Sequence, residues 1–408
     1  MHDNILKSRY AIKALPAKGE RPHHLASGMK VHPLSYMELP FDPEYQLYNN
    51  RMTPERLNHV TDDEQYWAVR QKVILRNTGE FPVQISGSDA EKFADRVFAR
   101  DVSGVKVGRC SYNFALYHNG CMINDGVLLR LAEDTFWMAQ ADGELTKWYM
   151  AHIGDLDVTI SDPNVWVSQV QGPRAMDLLN DVIDGDFPNP WRYFDIAEVR
   201  IAGESVIITR TGFSNELGWE FYLRPENNAE AIGNRIWELG QKYQMMLTGT
   251  PVFRARRIEA GLLSHTDFGE MTTPFEAGLG HFINMDKANF VGRAALEKSN
   301  KQSRTYGMRV QASIADRGRS LTIGGKTIGT VTSSSWSPFQ QCGVAIVRLD
   351  DTEIAADSDL EVTCIDGQVH SAQLCSLPMY DQQGDIVRGK NTVIPEGPEP
   401  WKGWQVQP

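Results

Sequence analysis

The sequence predicts an α+β protein: two related strand–helix subdomains sharing an interface, followed by a small β-rich C-terminal domain. Three observations carry this. A strand–glycine–helix unit occurs twice, as "FPVQISGSDAEKFADRVFA" and "VWVSQVQGPRAMDLLNDVI". The apolar residues of both predicted helices recur at helical spacing, for example Ala90, Phe93, Ala94 and Val97. Beyond about Tyr306, short β-type runs parted by Gly, Asp and Ser take over.

Taken in order, residues 1–45 are broken throughout by Pro and Gly and read as an extension wrapped on the body. Regular signals begin near Tyr66 and define a body over 46–305. In the first repeated unit, Ser88 and Glu91 have capping-box spacing before the helix. The second unit aligns Gly172 with Gly87, Ala175 with Ala90, Leu178 with Phe93 and Val182 with Val97. Such a repeat places a shared interface between two subdomains, a favoured position for a ligand pocket.

Between the units, "MINDGVLLRLAEDTFWM" reads as turn, strand, strand. After them, "ESVIITRTGFSNELGWEFYL" reads as strand, polar turn, strand. A helix follows, with Ile232, Ile236, Leu239 and Tyr243 on one stripe. The C-terminal domain, 306–408, contains "RTYGMRV", "GKTIGTVTSSSWS", "CGVAIVRL", "LEVTCI" and "VHSAQLCSL", the runs of a small barrel or sandwich. A tail rich in Pro and Trp ends it.

Composition excludes several classes. The 408 residues are 41% hydrophobic and carry a net charge of −11, which argues against a nucleic-acid partner. Five cysteines, none in CxxC, suit free thiols in the cytoplasm. There is no secretory signal and no apolar run long enough to span a membrane. "GGKT" at 324–327 sits in hairpin context and lacks the first phosphate-loop glycine, since Ser320 stands there. Ten histidines show no metal spacing, and no GxSxG elbow exists.

Three stretches remain in which polar groups interrupt apolar strands. One holds Tyr112, His118, Asn124 and Asp125. The second holds Trp219, Glu220 and Tyr222. The third holds Arg254, Arg256, Arg257 and Glu259. A buried carboxylate needs a cationic or hydrogen-bonding partner. Asp125, at Asn-Asp-Gly, also has a plain turn reading.

These stretches, with "NGCMINDGVLL", "GFSNELGWE", "RIEAG", "TPFEAGLGHFI" before "FVGRAAL", and "GTVTSSSWSP" in that order, resemble the folate-dependent aminomethyltransferase superfamily founded by the glycine-cleavage T-protein. The pattern is most similar to dimethylsulfoniopropionate demethylases, which share N-D in the first motif and a strand pair like "LRLAEDTFWM". It departs from the glycine-cleavage enzyme at "PVFRAR" and in a longer N-terminal extension.

The resemblance implies the aminomethyltransferase (T-protein) fold: two related α/β subdomains around a central folate channel, plus a C-terminal β-barrel. It implies a cytoplasmic enzyme, with tetrahydrofolate as cofactor and a small methylated substrate as partner. It leaves the oligomeric state open. The implied reaction moves a methyl group, from a sulfonium such as dimethylsulfoniopropionate in the favoured case, to N5 of tetrahydrofolate. Alternatives are aryl-methyl-ether demethylation or methylene transfer, the glycine-cleavage aminomethyltransferase itself, and a non-catalytic folate-binding protein.

By this resemblance Glu220 forks onto pterin donors and Asp125 lies at the reacting edge as the catalytic group. Tyr112 and Trp219 join the cofactor site, and Arg254 or Arg257 meets the glutamyl tail. Tyr36, His59, His118 and His265 are substrate-side candidates. No metal is expected.

Overall fold

The computed structural model describes residues 30–143, 145–269 and 271–403. The body holds two large sheets built to one plan, beside a three-stranded sheet of Lys30–Val31, Arg51–Leu57 and Pro43–Tyr48. In the first, the order is Arg109–Leu116, Met122–Ala132, Thr135–Gln140, Phe81–Ser86, Thr159–Ser161. In the second it is Ile196–Ile201, Glu204–Thr209, Gly218–Leu223, Trp166–Gln171, Ile74–Asn77, with Met246–Leu247 added at the edge. The last position of the shared plan is exchanged between units. Ile74–Asn77 precedes the first unit in the chain yet pairs with Trp166–Gln171 of the second.

The repeat read from sequence is present in detail. Phe81–Ser86 leads to the helix Ala90–Val97, and Trp166–Gln171 leads to the helix Ala175–Val182. Ala90, Phe93, Ala94 and Val97 are buried in one; Ala175, Leu178, Leu179 and Val182 are buried in the other. Gly87 and Gly172 have φ of +135° and +128°, and a Cβ on either would strike a carbonyl oxygen, of Asp157 or Lys72. Close backbone approach and left-handed geometry together demand glycine there.

Three expectations need correction. The Ser88–Glu91 capping box does not form. Ser88 donates instead to Asp157 Oδ2 at 2.7 Å, because the Asp157 segment crosses at Gly87, and Glu91 pairs with Arg130 at 2.6 Å. Asp125 is not in a turn: it lies inside Met122–Ala132, opposite Phe114. Gly126 is there because a Cβ would come within 2.2 Å of the Ala139 oxygen. Finally, the extension boundary after residue 45 falls within the strand Pro43–Tyr48. That strand pairs with Arg51–Leu57 across Asn49 and Asn50, both at positive φ. Residues 1–29 lie outside the described residues, while Leu34 and Met37 are already core residues of the second sheet.

Each sheet has an outer core under its helix and an inner face toward its partner. Phe93, Val97, Leu128, Phe136 and Met138 fill one outer core; Leu178, Val182, Ile208, Trp219 and Phe221 help fill the other. Cys110, Leu129 and Trp137 meet Val167, Ile207 and Tyr222 between the sheets. The C-terminal strands close into a six-stranded barrel, so the sandwich alternative falls. Gly324 and Gly325 form a hairpin turn within it at positive φ. The helix Thr250–Glu259 packs on barrel strand Lys326–Ser337, joining barrel to body. The tail follows the barrel: Glu399 and Trp401 donate backbone bonds to Phe339 and Gln340. All five cysteines are buried and unbridged. No helix among the described residues is long and apolar enough to cross a membrane.

Candidate active site

Strand alternation places Glu220 and Tyr222 on the inner face and Trp219 and Phe221 on the outer one. Register then lines up a polar row across the second sheet. Thr209 lies opposite Glu220, Glu220 opposite Gln169, and Gln169 opposite Arg76. All four are buried in a sheet whose other positions are mostly apolar. Glu220 accepts one short hydrogen bond, from the Thr211 hydroxyl at 2.5 Å, and has no cationic partner among the described residues. Burial, reinforced by the charge of Glu80, pushes its carboxyl up to about 8, against the smaller downward pull of Thr211.

Asp125 shares its strand face with Val127 and Leu129 and so also points between the sheets. Tyr112, on the adjacent strand, donates its hydroxyl to Asp125 Oδ2 at 2.7 Å. The Tyr112 ring rests against Phe282, centroids 5.0 Å apart. Burial raises the Asp125 carboxyl to about 6. The Tyr112 bond lowers it, and Asp267 and Arg257 act in opposite directions. Asn124 is structural: its amide spans the Ala141, Asp142 and Gly143 carbonyls and fixes the loop over Asp125.

Two residues the sequence reading missed connect these carboxylates. Glu80 acts electrostatically on both Glu220 and Tyr48, and Tyr48 also feels Asp125. One Glu80 oxygen and the Gln169 amide oxygen are buried without a partner among the described residues. Tyr48 reaches this position because Gly79 has no side chain; a Cβ there would lie 2.7 Å from the ring. The Asn49-Asn50 hairpin turn was the available signal for Tyr48. The inner face of the second sheet thus combines the acceptors Glu220, Glu80 and Gln169 with the donors Arg76 and Tyr222, of which Arg76 Nη1 and the Tyr222 hydroxyl are also buried without a partner among the described residues, while Asp125 with its tyrosine lies on the other sheet.

The arginines behave differently. Arg257 is bound to Asp267 at 2.7 Å and donates to Ser333 at 2.7 Å; Thr332 and Ser333 complete the Asp267 shell. It is paired with a carboxylate and lies near enough to Asp125 to act on its charge. Arg256 is fully buried. It bonds Glu259, Tyr380 and, at 2.7 Å, Glu216, which also takes Arg70 at 2.5 Å. Tyr66, Tyr380 and Ser337 add hydroxyls to Glu259. This hub ties two helices, the 212–217 loop, the barrel and the tail, and it accounts for "RIEAG" and "SSSWSP".

Other candidates are displaced. Trp219 is completely buried on the outer face against Trp191 and Phe187, so it cannot touch a ligand between the sheets. Arg254 points outward to Glu55 at 3.4 Å. Tyr36 donates to Asn234 on the helix Ala229–Gly240, behind the second sheet. His118 is an exposed hairpin tip packed on Trp148 and His152. His59 is exposed and its Nδ1 meets the Pro40 carbonyl. His265 is the exposed first residue of a four-residue helix. Each sits where its own local partners, not the inter-sheet space, determine its position.

This architecture matches known proteins. Residues 22–287 match the family described as GCVT N-terminal domain, and residues 304–381 match the glycine cleavage T-protein C-terminal barrel domain. A trimethylamine-oxide aldolase of Ruegeria pomeroyi is 31% identical over 84% of this chain, which spans 46% of that relative's length. Dimethylsulfoniopropionate demethylase of the same organism is 29% identical over 79% of this chain and 90% of its own. An aminomethyltransferase of Caldanaerobacter subterraneus is 28% identical over 68% of this chain and 77% of its own. The crystal structure of glycine cleavage system aminomethyltransferase T from Bartonella henselae superposes with a TM-score of 0.78 at 22% identity. The match covers 87% of this chain and 99% of that one, and shows the shared fold. With both of the family's domains present in order, the chain belongs to the glycine-cleavage T-protein family of folate-dependent one-carbon-transfer enzymes.

Proposed function

We propose that the protein transfers a methyl group from a small methylated donor, a sulfonium in the favoured case, to tetrahydrofolate. One observation carries the reading: two buried carboxylates, Glu220 and Asp125, on the inner faces of the two sheets, each hold one hydroxyl and have no cation bonded to them among the described residues. A reduced pterin presents amino and ring N–H donors that such acceptors satisfy. The unpartnered oxygens of Glu80 and Gln169 enlarge the acceptor set and fit the same donors. When bound, the folate supplies N5 as the nucleophile that receives the one-carbon unit.

The chain's own residues do the rest. Glu220, ionised on binding, accepts from the pterin and fixes its orientation. Asp125, oriented by the Tyr112 hydroxyl, supports positive charge developing at the reacting edge. Holding donor and acceptor in line is the main catalytic contribution in such a displacement. A sulfonium donor departs as a neutral sulfide and asks no proton of the protein. An aryl ether would need one at its leaving oxygen.

Similarity to the trimethylamine-oxide aldolase over 84% of this chain supports a second reading, in which an N-oxide is cleaved to its amine and the one-carbon unit, released at the formaldehyde level, is taken up by tetrahydrofolate as the 5,10-methylene form with loss of water. The deciding experiment incubates the protein with tetrahydrofolate and a panel of sulfonium, methoxyaryl, N-methyl and N-oxide compounds. Formation of 5-methyltetrahydrofolate with a sulfonium alone is expected. Turnover only with an N-oxide selects the second reading, and turnover with neither class removes both.

A further inference from the structure

The N-terminal hairpin carries one aromatic side chain to the Asp125 end of the site. Leu47 is exposed, so strand alternation turns Tyr48 inward. Its ring packs on Gly79, where a Cβ would lie 2.7 Å away. Tyr48 stands opposite Arg51 in the hairpin, and Arg51 Nη1 donates to the Glu80 carbonyl at 2.8 Å. The Arg51 guanidinium lies over the rings of Phe81 and Trp166, 5.0 and 4.2 Å from their centres, which fixes this crossing point between the sheets.

The hairpin tip is pinned to the loop that covers Asp125. The Asn49 backbone N–H donates to Asp142 Oδ1 at 2.8 Å, and its amide donates to the carbonyls of Gly79 and Ala141 at 3.2 and 3.0 Å. Its amide oxygen accepts from the Gly143 N–H at 2.9 Å. The Asn124 amide bonds the same Ala141 carbonyl at 3.1 Å, and the Ala141 N–H donates to the Asp125 carbonyl at 3.0 Å. The pairs Tyr48–Asn49 and Asn124–Asp125 therefore converge on one carbonyl oxygen. The surroundings of the ring are anionic. Burial, with the charges of Glu80, Asp125 and Asp142, pushes the Tyr48 phenol well above its ordinary range, against a backbone hydrogen bond from Asp142. The cations nearby are committed: Arg257 is paired with Asp267, and Arg76 lies among Glu80, Glu55 and Glu38. An aromatic ring flanked by carboxylates attracts a methylated cation, which has no hydrogen-bond donor to offer. A neutral aryl ether gains nothing from that field.

We propose that Tyr48 is a specificity-determining residue for the methyl donor: its ring, set by the Asn49 tip beside Asp125 and Glu80, forms the wall against which a compact methylated cation rests. The proposal rests on the methyl-transfer reading above and deepens it by naming the residue that selects the donor.

Calorimetry on the folate-free protein compares dimethylsulfoniopropionate with its neutral thioether analogue, which lacks one methyl group and the positive charge. The wild type should prefer the sulfonium by about tenfold, the order of one desolvated cation–aromatic contact. Tyr48→Phe keeps the ring and should keep the preference. Tyr48→Leu keeps the bulk without the ring and should lose it, while tetrahydrofolate affinity holds within about twofold in both variants. In turnover the Leu variant should raise KM for the donor and hold kcat. Should Tyr48→Leu not fold, Asn49→Gly, which suits the φ of +52° and releases the tip, must lower the preference in its place. Equal affinities for sulfonium and thioether in the wild type, or a preference that survives loss of the ring, overturns the proposal. So does a parallel loss of tetrahydrofolate affinity, since that assigns the ring to the pterin. A wild type that binds tetrahydrofolate yet accepts a one-carbon unit from no methylated compound removes the methyl-transfer reading and the proposal with it, whereas the other failures leave that reading standing.

Discussion

Two groups of buried charge lie side by side in this protein and are built on opposite rules. In the hub, Arg70 and Arg256 share Glu216, Arg256 also meets Glu259, and hydroxyls of Tyr66, Tyr380 and Ser337 fill the remaining acceptor positions on Glu259. Between the sheets, Glu220 and Asp125 each have one hydroxyl and, among the described residues, no cation bonded to them, and both carboxyls are pushed well above their ordinary range. A charge buried with its partners holds elements together. A charge buried without them is costly unless a ligand supplies what is missing. The contrast separates charges held by internal partners from charges left without them, although both kinds lie in the family's motifs.

The largest expected effect comes from breaking the hub. Arg256→Ala would leave Glu216 and Glu259 short of a shared cation, and losing one member of a buried pair costs about 3–5 kcal/mol. Denaturant unfolding followed by tryptophan fluorescence should show that loss. An unchanged midpoint would mean the hub is not a fold element and would dissolve the comparison.

Asp125→Asn tests the other side. It should leave the unfolding midpoint near the wild type, because the amide keeps the shape and can still accept from Tyr112. It should lower kcat by ~10²–10³, the usual loss for one preorganised electrostatic group, with little change in folate affinity. In the wild type, kcat should also fall as pH drops through about 6, where Asp125 takes a proton. Near-native kcat in the variant would reduce Asp125 to a strand residue.

Glu220→Gln should act on binding. It places an amide donor before ligand donors, for a loss of about 1–3 kcal/mol in folate affinity. The pH dependence has a definite sign. With the carboxyl at about 8, ligand capture of the ionised form must expel a proton at neutral pH. Affinity should therefore rise with pH and level off above about 8. In the unliganded protein the same shift lowers stability as pH climbs from the ordinary carboxylate range through about 8. Calorimetry in buffers of different ionisation heat should register uptake of that proton by the buffer. The Gln variant should show neither the slope nor the proton, and a slope that persists would place the titrating group elsewhere.

Much of this architecture is legible in the amino-acid sequence. The repeat is readable because each unit is local: strand, glycine and helix lie within twenty residues, and the burial pattern follows helical period. Glu220 and Asp125 are readable as charges interrupting apolar strands. Direction is what the sequence does not carry. Trp219 and Glu220 are neighbours in sequence and occupy opposite sheet faces, and only the placement of both cores shows which face lies between the sheets. Glu80 has no signal in the sequence and Tyr48 only the adjoining Asn49-Asn50 turn, because their positions arise from segments brought together by the exchanged strand and the N-terminal hairpin. The arginines' pairings are not legible either, because a cation's destination depends on carboxylates far along the chain: Glu216 is forty residues from Arg256.

The smallest expected effect is the one that tests whether a cation near the family motif matters at all. Arg254 is half-exposed and lies 3.4 Å from Glu55. Exposed pairs of this kind contribute ~0.2–1 kcal/mol, so Arg254→Ala should move the unfolding midpoint barely if at all. It should also leave folate affinity unchanged, because its side chain is half-exposed beside Glu55. A clear loss of folate affinity in Arg254→Ala would place the anionic end of the ligand on the helix Thr250–Glu259 and make the pairing with Glu55 the state before ligand arrives.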